Sequence, residues 1–352
     1  MSAPLLAGGA SRIAVFRALN LGDLLCFVPA LRALRHAFPQ AWIALVGLES
    51  ARPVAEAFPH YVDELLLFPG IAAFPEQRPD RRALPAFYES VAARRFDVAL
   101  QMHGDGTHSN EVVRRFGARR WGGFVPGPGQ AREGRFLPWP DALPEARRYL
   151  ALLNHLGLEA RDAGLEFPLD DQDRREAAEL ARRSGIDLAR TVLLHPGARL
   201  ASRRWPVERF AAVARRLAAQ GWQVAVTGSP SERVLAGELV RGAAGAAVDL
   251  SGGTSLGGLA ALLRQSRLLI CNDTGISHVA AAVGAPSVVI ASGSDVKRWA
   301  PANRRLHQVL HQPMPCRPCA YDECPVGHGC ALAVTPEQVL AHAGRALRGT
   351  IQ

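Results

Sequence analysis

The chain has 352 residues, 48% of them hydrophobic and 21% charged, with a formal net charge of +9. That balance excludes a disordered chain, and the length exceeds one ordinary core while suiting two α/β domains. Lys297 is the only lysine, so nearly all the positive charge is arginine, which suits a phosphorylated or acidic substrate, an anionic membrane surface or nucleic acid. A GC-rich coding sequence produces the same bias, and the absence of any RNP signature, finger spacing or aromatic-interleaved basic run argues against nucleic acid.

Met1–Ser11 carries no early positive charge and no long apolar core, so it does not read as a secretory signal. Arg12–Phe16 reads as a buried strand, followed by an amphipathic helix over Asp23–Ala37 with Leu24, Phe27, Leu31 and Leu34 on one face. Trp42–Val46, Glu64–Phe68 and Asp97–Gln101 read as further strands, and the Pro- and Gly-rich Phe124–Leu143 as a long loop. A charged stretch, Leu169–Arg183, then separates the halves. The alternation restarts with strands at Thr191–His195, Gln223–Thr227, Leu268–Asn272 and Ser287–Ile290, and Pro336–Leu347 reads as a closing amphipathic helix. This alternation predicts two Rossmann-like α/β domains with mainly parallel sheets facing a cleft: residues 1–168, residues 169–335, and a closing helix over 336–352. Every apolar stretch is broken well short of about 18 residues, so no membrane span is expected. The chain is expected in the cytosol with its cysteines largely reduced.

Five segments carry chemistry. In Leu268–Ala282 an apolar strand ends at Asn272–Asp273–Thr274–Gly275, and a helix of small residues begins at once. A helix N-terminus offers free N–H groups and partial positive charge to a diphosphate; Gly275 permits close approach, Thr274 adds a hydroxyl, and His278 lies one turn in. Equally, Asp273 or Thr274 can simply cap the helix while His278 is structural. In Leu193–Pro206 a strand ends at His195–Pro196–Gly197 and opens into a loop bearing Arg199, Arg203 and Arg204, suited to a leaving diphosphate or to plain solvation. In Arg17–Pro29, Asp23 stands at the mouth of a helix, as a general base or as a plain N-cap. Val226–Glu232 is another strand–Gly turn–helix start, in which Gly228 makes the turn and Glu232 can hold a ribose or serve a cap. Finally, Cys316, Cys319, Cys324 and Cys330 are packed densely enough for a structural metal, with His328 spare, yet they lack the long interval of a zinc ribbon. No GxGxxG follows a strand, and GxxxxGK[ST] and HExxH are missing, which disfavours typical NAD enzymes, P-loop NTPases and zincins.

Taken together, LGDLLCFVPALRALRHAFP, HPGARLASRRWPVERF and NDTGISHVAAAVGAP, with the cysteine-rich tail, resemble glycosyltransferase family 9, the ADP-heptose:lipopolysaccharide heptosyltransferases. The resemblance runs from Arg12 to about Ala346. It implies a GT-B fold, and an inverting, metal-independent transfer that uses no cofactor. By similarity Asp23 is the base, and Asp273, Thr274, Gly275 and His278 match the donor-diphosphate motif. His195, Gly197, Arg203, Gly228 and Glu232 join them around the donor, with Glu232 on the ribose. Arg203 stands where relatives usually carry lysine. Arg17, His103 and Asp105 are the expected acceptor contacts. The implied partners are ADP-heptose and a lipid-linked or saccharide acceptor at the cytoplasmic face of the inner membrane. Open alternatives are another sugar or acceptor within the family, a nucleotide-sugar 2-epimerase, and a zinc-bearing binding protein that kept the fold.

Overall fold

The computed structural model describes residues 3–349; Met1 and Ser2 of the N-terminal stretch and Thr350–Gln352 of the closing segment lie outside the described residues. The chain divides into two compact units, the first ending at Gly164 and the second starting at Leu165. The first holds β1 (Arg12–Phe16), β2 (Trp42–Gly47), β3 (Glu64–Leu67), β4 (Val98–Gln101), β5 (Arg120–Val125) and β6 (Phe136–Pro138). The second holds β7 (Thr191–His195), β8 (Gln223–Val226), β9 (Val248–Asp249), β10 (Leu268–Asn272), β11 (Ser287–Ile290) and β12 (His307–Leu310).

Every pairing is parallel, in the orders β3-β2-β1-β4-β5-β6 and β12-β11-β10-β7-β8-β9. Read from the β9 edge, the second order repeats the first, and both are the doubly wound Rossmann order. Parallel neighbours need crossover helices, which cover both faces of a sheet, so its central strands are apolar on both sides. β4, β7 and β10 are accordingly buried at every position, and β1 at every position but its first. The order reverses between β1 and β4 and between β7 and β10. There successive crossovers leave in opposite directions, so the carboxyl ends of these strands open a crevice.

The first unit's core is aromatic: the Phe16 ring meets Phe68 edge-on at 5.1 Å and Phe116 at 6.0 Å. In the second unit Trp205 lies buried against Phe210, and its indole donates to the Val334 carbonyl at 2.9 Å. The helix Pro336–Gly349 places Val339, Ala343 and Leu347, four residues apart, in that same core.

Two sequence expectations need correction. The helix expected over Asp23–Ala37 is two, Leu21–Leu25 and Val28–Ala37, because Pro29 has no N–H to continue an existing ladder but suits a first turn. The expected Phe124–Leu143 loop contains β6, where Gly123 pairs with Phe136 and Pro138 is tolerated because the strand is an edge. The charged stretch Leu169–Arg183, expected where the halves separate, lies near the start of the second unit. Asp171–Arg183 is a helix of the second unit, opened by a reciprocal cap between Asp170 and Asp173, and it buries Ala177, Leu180 and Ala181. Among the described residues no helix is long and apolar enough to cross a membrane.

Asn272 joins the two central strands of the second sheet. Its Oδ1 accepts the Trp205 N–H at 2.9 Å, and its Nδ2 donates to the Pro196 carbonyl at 2.7 Å, all out of water. Asn272→Ala is expected to cost about 2–4 kcal/mol, since buried polar groups lose their partners. Denaturant unfolding of the purified chain checks this; a midpoint unchanged from wild type would refute it.

Candidate functional site

In the first unit the polar groups gather where β1 and β4 end. Arg17 follows β1 and is fully buried. Its Nε and Nη2 donate to the Asp23 carbonyl at 3.1 and 2.9 Å, and its Nη1 to the Met102 carbonyl at 2.8 Å and the Tyr149 hydroxyl. Nη2 also meets Glu145 Oε1 at 3.2 Å. These five bonds match the five N–H donors of a guanidinium. Burial pushes the guanidinium down, but Tyr149, Glu145 and Asp23 more than offset it, and Arg17 is held above its ordinary value. Burial likewise raises Tyr149 well above the phenol range, so it stays protonated and donates to Glu145.

Asp23 sits in the first turn of the helix Leu21–Leu25. Asn20 rather than Asp23 is the N-cap residue of that helix, and the Asn20 side chain makes no capping bond. Its carboxylate is 22% exposed and lies 3.8 Å from Arg17 Nη2. A carboxylate that reaches solvent beside a buried cation is placed to act as general base toward a bound hydroxyl.

The expected acceptor contacts fare differently. Arg17 has no exposed surface and no uncommitted donor, so it braces the β1 end and cannot read an acceptor. His103 is also buried. Its Nδ1 accepts the Ala18 N–H at 3.2 Å, and its ring lies between Phe16 at 5.3 Å and Phe74 at 4.2 Å. Asp105 is partly exposed and takes the Thr107 N–H at 2.9 Å within a short turn. Of the three, only Asp105 has the exposure an acceptor contact needs.

In the second unit β10 runs into the helix Gly275–Val283. Thr274 is its cap residue yet makes no side-chain capping bond, and Asp273, Thr274 and Gly275 are half-buried. His278, one turn in, is buried with Trp299 6.1 Å away edge-on. Beside them β7 ends in His195, whose Nδ1 meets Thr227 Oγ1 at 3.1 Å and whose Nε2 lies 3.8 Å from Glu232 Oε2. Burial lowers His195 against the pull of Glu232. Glu232 accepts the Ser229 N–H at 2.7 Å and the Ser229 hydroxyl at 2.8 Å, so the cap expected as an alternative does form. A side chain at Gly197 would collide with the Glu232 carboxylate, and one at Gly228 would come within 3.3 Å of Glu232 Cβ.

Arg203 and Arg204 separate. Arg204 braces the Ala198 carbonyl at 2.9 Å, whereas Arg203 reaches the Ser292 and Cys319 carbonyls and feels the charge of Asp273. The cysteine-rich tail is a strap over this turn. Cys319 N–H donates to Gly293 at 2.8 Å, Ser202 N–H to Asp322 at 3.0 Å, and His328 Nε2 meets the Ser202 carbonyl at 2.9 Å. Cys316, Cys319, Cys324 and Cys330 are free thiols, and among the described residues no group of three or more His, Cys, Asp or Glu is placed to hold a metal.

The sequence reading missed Glu145, Tyr149, Asn272 and Ser202. The first pair left a signal: a glutamate and a tyrosine four apart on the buried face of Glu145–His155, beside Leu152 and Leu153.

Two doubly wound sheets, each with polar groups at its switch point, define the GT-B class of glycosyltransferase fold. The chain belongs to glycosyltransferase family 9, the heptosyltransferase family, whose model matches residues 86–329. It is similar to lipopolysaccharide heptosyltransferase 1 of Pseudomonas aeruginosa, 34% identical over 134 residues, 38% of this chain and 37% of that protein. With lipopolysaccharide heptosyltransferase 2 of Escherichia coli K12 it shares 25% over 293 residues, 77% of this chain and 79% of that one. Its fold matches the family 9 glycosyl transferase of Veillonella parvula with a TM-score of 0.80 at 23% identity, over 97% of this chain and 98% of that one. E. coli heptosyltransferase WaaC with ADP-2-deoxy-2-fluoro heptose matches with a TM-score of 0.66 at 20% identity, over 94% and 98%.

His103 makes a pH prediction. Burial, and then Arg17, push it from 6.5 down to about 3. Below pH 6.5 the unfolded chain therefore binds a proton that folded His103 refuses, and stability falls as pH drops toward 3. This group alone should remove about 2 kcal/mol between pH 6.5 and pH 5. Tm measured across that range should fall less steeply in His103→Gln than in wild type, and parallel slopes would count against the assignment.

Proposed function

We propose that this chain is an inverting glycosyltransferase that moves a heptose from ADP-heptose to a lipopolysaccharide inner-core acceptor. The carrying observation is the strand–turn–helix at the β10 end, where the Thr274 side chain does not cap the helix whose N-terminus it precedes. Family membership and the ADP-heptose analogue held by the WaaC relative support this reading.

In the proposed reaction Asp23 takes the proton of an acceptor hydroxyl as its oxygen bonds to the anomeric carbon. The bond from that carbon to the β-phosphate oxygen breaks on the opposite face, so configuration inverts and ADP leaves. One base suffices for inversion, by the logic of inverting glycosidases. The charge growing on the diphosphate is met by the amide dipoles at Gly275, with Thr274 and His278 beside them and Arg203 as the nearby cation. Asp273 lies within charge range of that cation. His195, Gly197, Gly228 and Glu232 form the nucleoside side, and the absence of a side chain at Gly197 leaves the Glu232 carboxylate uncovered for a ribose. Asp105 is the remaining acceptor contact. A lipid-linked acceptor places the work at the cytoplasmic face of the inner membrane, where arginine-borne charge of +9 favours peripheral contact.

Thermal shift with ADP, UDP, GDP and ADP-heptose tests the donor. At a hundredfold excess over Kd, ADP and ADP-heptose should stabilise by about 2.7 kcal/mol, raising Tm by about 5–10 °C. Preference for UDP or GDP would overturn the heptose assignment and leave the family standing. Asp23→Asn should lower kcat by about 10²–10⁴-fold while the ADP-induced shift persists; turnover close to wild type would remove Asp23 as the base.

A further inference from the structure

The carboxylate assigned as base does not face its cation alone. Arg17 Nη2 is shared between Asp23 Oδ1 at 3.8 Å and Glu145 Oε1 at 3.2 Å, and Glu145 is 1% exposed against 22% for Asp23. Tyr149 completes the set, donating its hydroxyl proton to Glu145 and accepting one from Arg17 Nη1, while the guanidinium lies over its ring at 4.2 Å. A buried cation with one carboxylate partner would pull hard on that partner. The cation here has two, and the closer one is sealed from water, where its charge acts with least screening.

We propose that Glu145, its charge tempered by the Tyr149 hydroxyl, is a positioning residue for Asp23: by holding the Arg17 guanidinium it fixes the turn that carries Asp23 and keeps that carboxylate basic enough to take the acceptor's proton. The reading rests on Asp23 being the base, as proposed above. The geometry supplies both halves. Arg17 grips the Asp23 backbone carbonyl through two donors, so the side chain's origin is tied to the same guanidinium that Glu145 anchors. Without the Glu145 charge, the full field of Arg17 falls on Asp23, stabilising its charged form and weakening it as a base. Other ionisable groups lie around this set. Arg148, 2% exposed, has its Nη1 3.7 Å from Glu145 Oε2, so Glu145 divides its charge between two buried guanidiniums. Cys26 on the next turn is within charge range of Arg17, and His103, from the β4 end, is held neutral. The turn Glu49–Ala51 and helix Arg52–Ala57, which pack against the Leu21–Leu25 helix, carry Glu49, Arg52 and Glu56; the first two are exposed and paired with each other.

The test is the pH dependence of kcat/KM for the full chain, with ADP-heptose as donor and heptose-free inner-core lipopolysaccharide as acceptor. In Glu145→Gln the acid limb should move down by about one pH unit or more, with kcat on the plateau reduced severalfold and ADP affinity unchanged. Glu145→Asp, which keeps the charge, should return the limb most of the way. A folded Glu145→Gln whose limb stays in place overturns the proposal, because a merely structural pair would change the amount of active enzyme and not its titration. Should Glu145→Gln fail to fold, Tyr149→Phe reads the same network. Glu145 then loses the donor that disperses its charge and offsets Arg17 more fully, so the limb should move up; an unmoved limb overturns the proposal here too. Asp23→Asn separates the two levels. Loss of turnover there with an unmoved limb in Glu145→Gln removes only the network, whereas turnover retained in Asp23→Asn removes the base and the network together.

Discussion

Parallel pairing constrains almost everything else in this molecule. Strands that run the same way must be joined over a face of the sheet, and the joining segments emerge together at the carboxyl ends. Both sheets reverse their order once, and the side chains singled out in each unit lie at that reversal: Arg17, Asp23 and His103 beside β1 and β4, His195 to Arg203 and Asp273 to His278 beside β7 and β10. The apolar interiors of the strands hold these ends in register. The chemistry is thus confined to loops whose starting points are fixed by hydrogen-bond ladders.

The two switch points solve different electrostatic problems. In the first unit a guanidinium is sealed from water, which is costly unless every donor is met and an opposite charge is close. Arg17 satisfies both conditions with two backbone carbonyls, a phenol and a carboxylate, and the outcome is a rigid polar knot with Asp23 at its edge. In the second unit the positive character comes from backbone dipoles at a helix start, and the nearby arginine is half-buried and engaged with carbonyls. A preorganised dipole needs no counter-charge to be buried, and it is in place before charge develops on a leaving group.

Much of this was legible in the residues. Eight of the twelve strands were read from apolar runs bounded by turn signals, while β5, β6, β9 and β12 were not, and the order of three separated segments carries the family resemblance. β6 was not legible, because three residues between Pro and Gly become a strand only through an edge partner. Glu145 and Tyr149 escaped for a related reason: their significance depends on Arg17, 128 and 132 positions away. Asn272 was read only as the end of a strand, yet its partners Trp205 and Pro196 make it a tie between strands. His103 was read as a pocket residue from its place after a strand. Its burial between Phe16 and Phe74 is a property of packing that strand position alone does not carry.

Position 203 bears on how such a site diverges. A lysine there would bring one nitrogen on a flexible stem, whereas Arg203 spreads its donors over carbonyls from two separate loops, at Ser292 and Cys319. The exchange of ammonium for guanidinium therefore preserves charge but adds a staple, and the cysteine-rich strap is one of the two pieces it clasps. Arg203 thus ties the cysteine-rich tail to the segment after β11, so the place of the cation and the path of the tail are set by the same bonds.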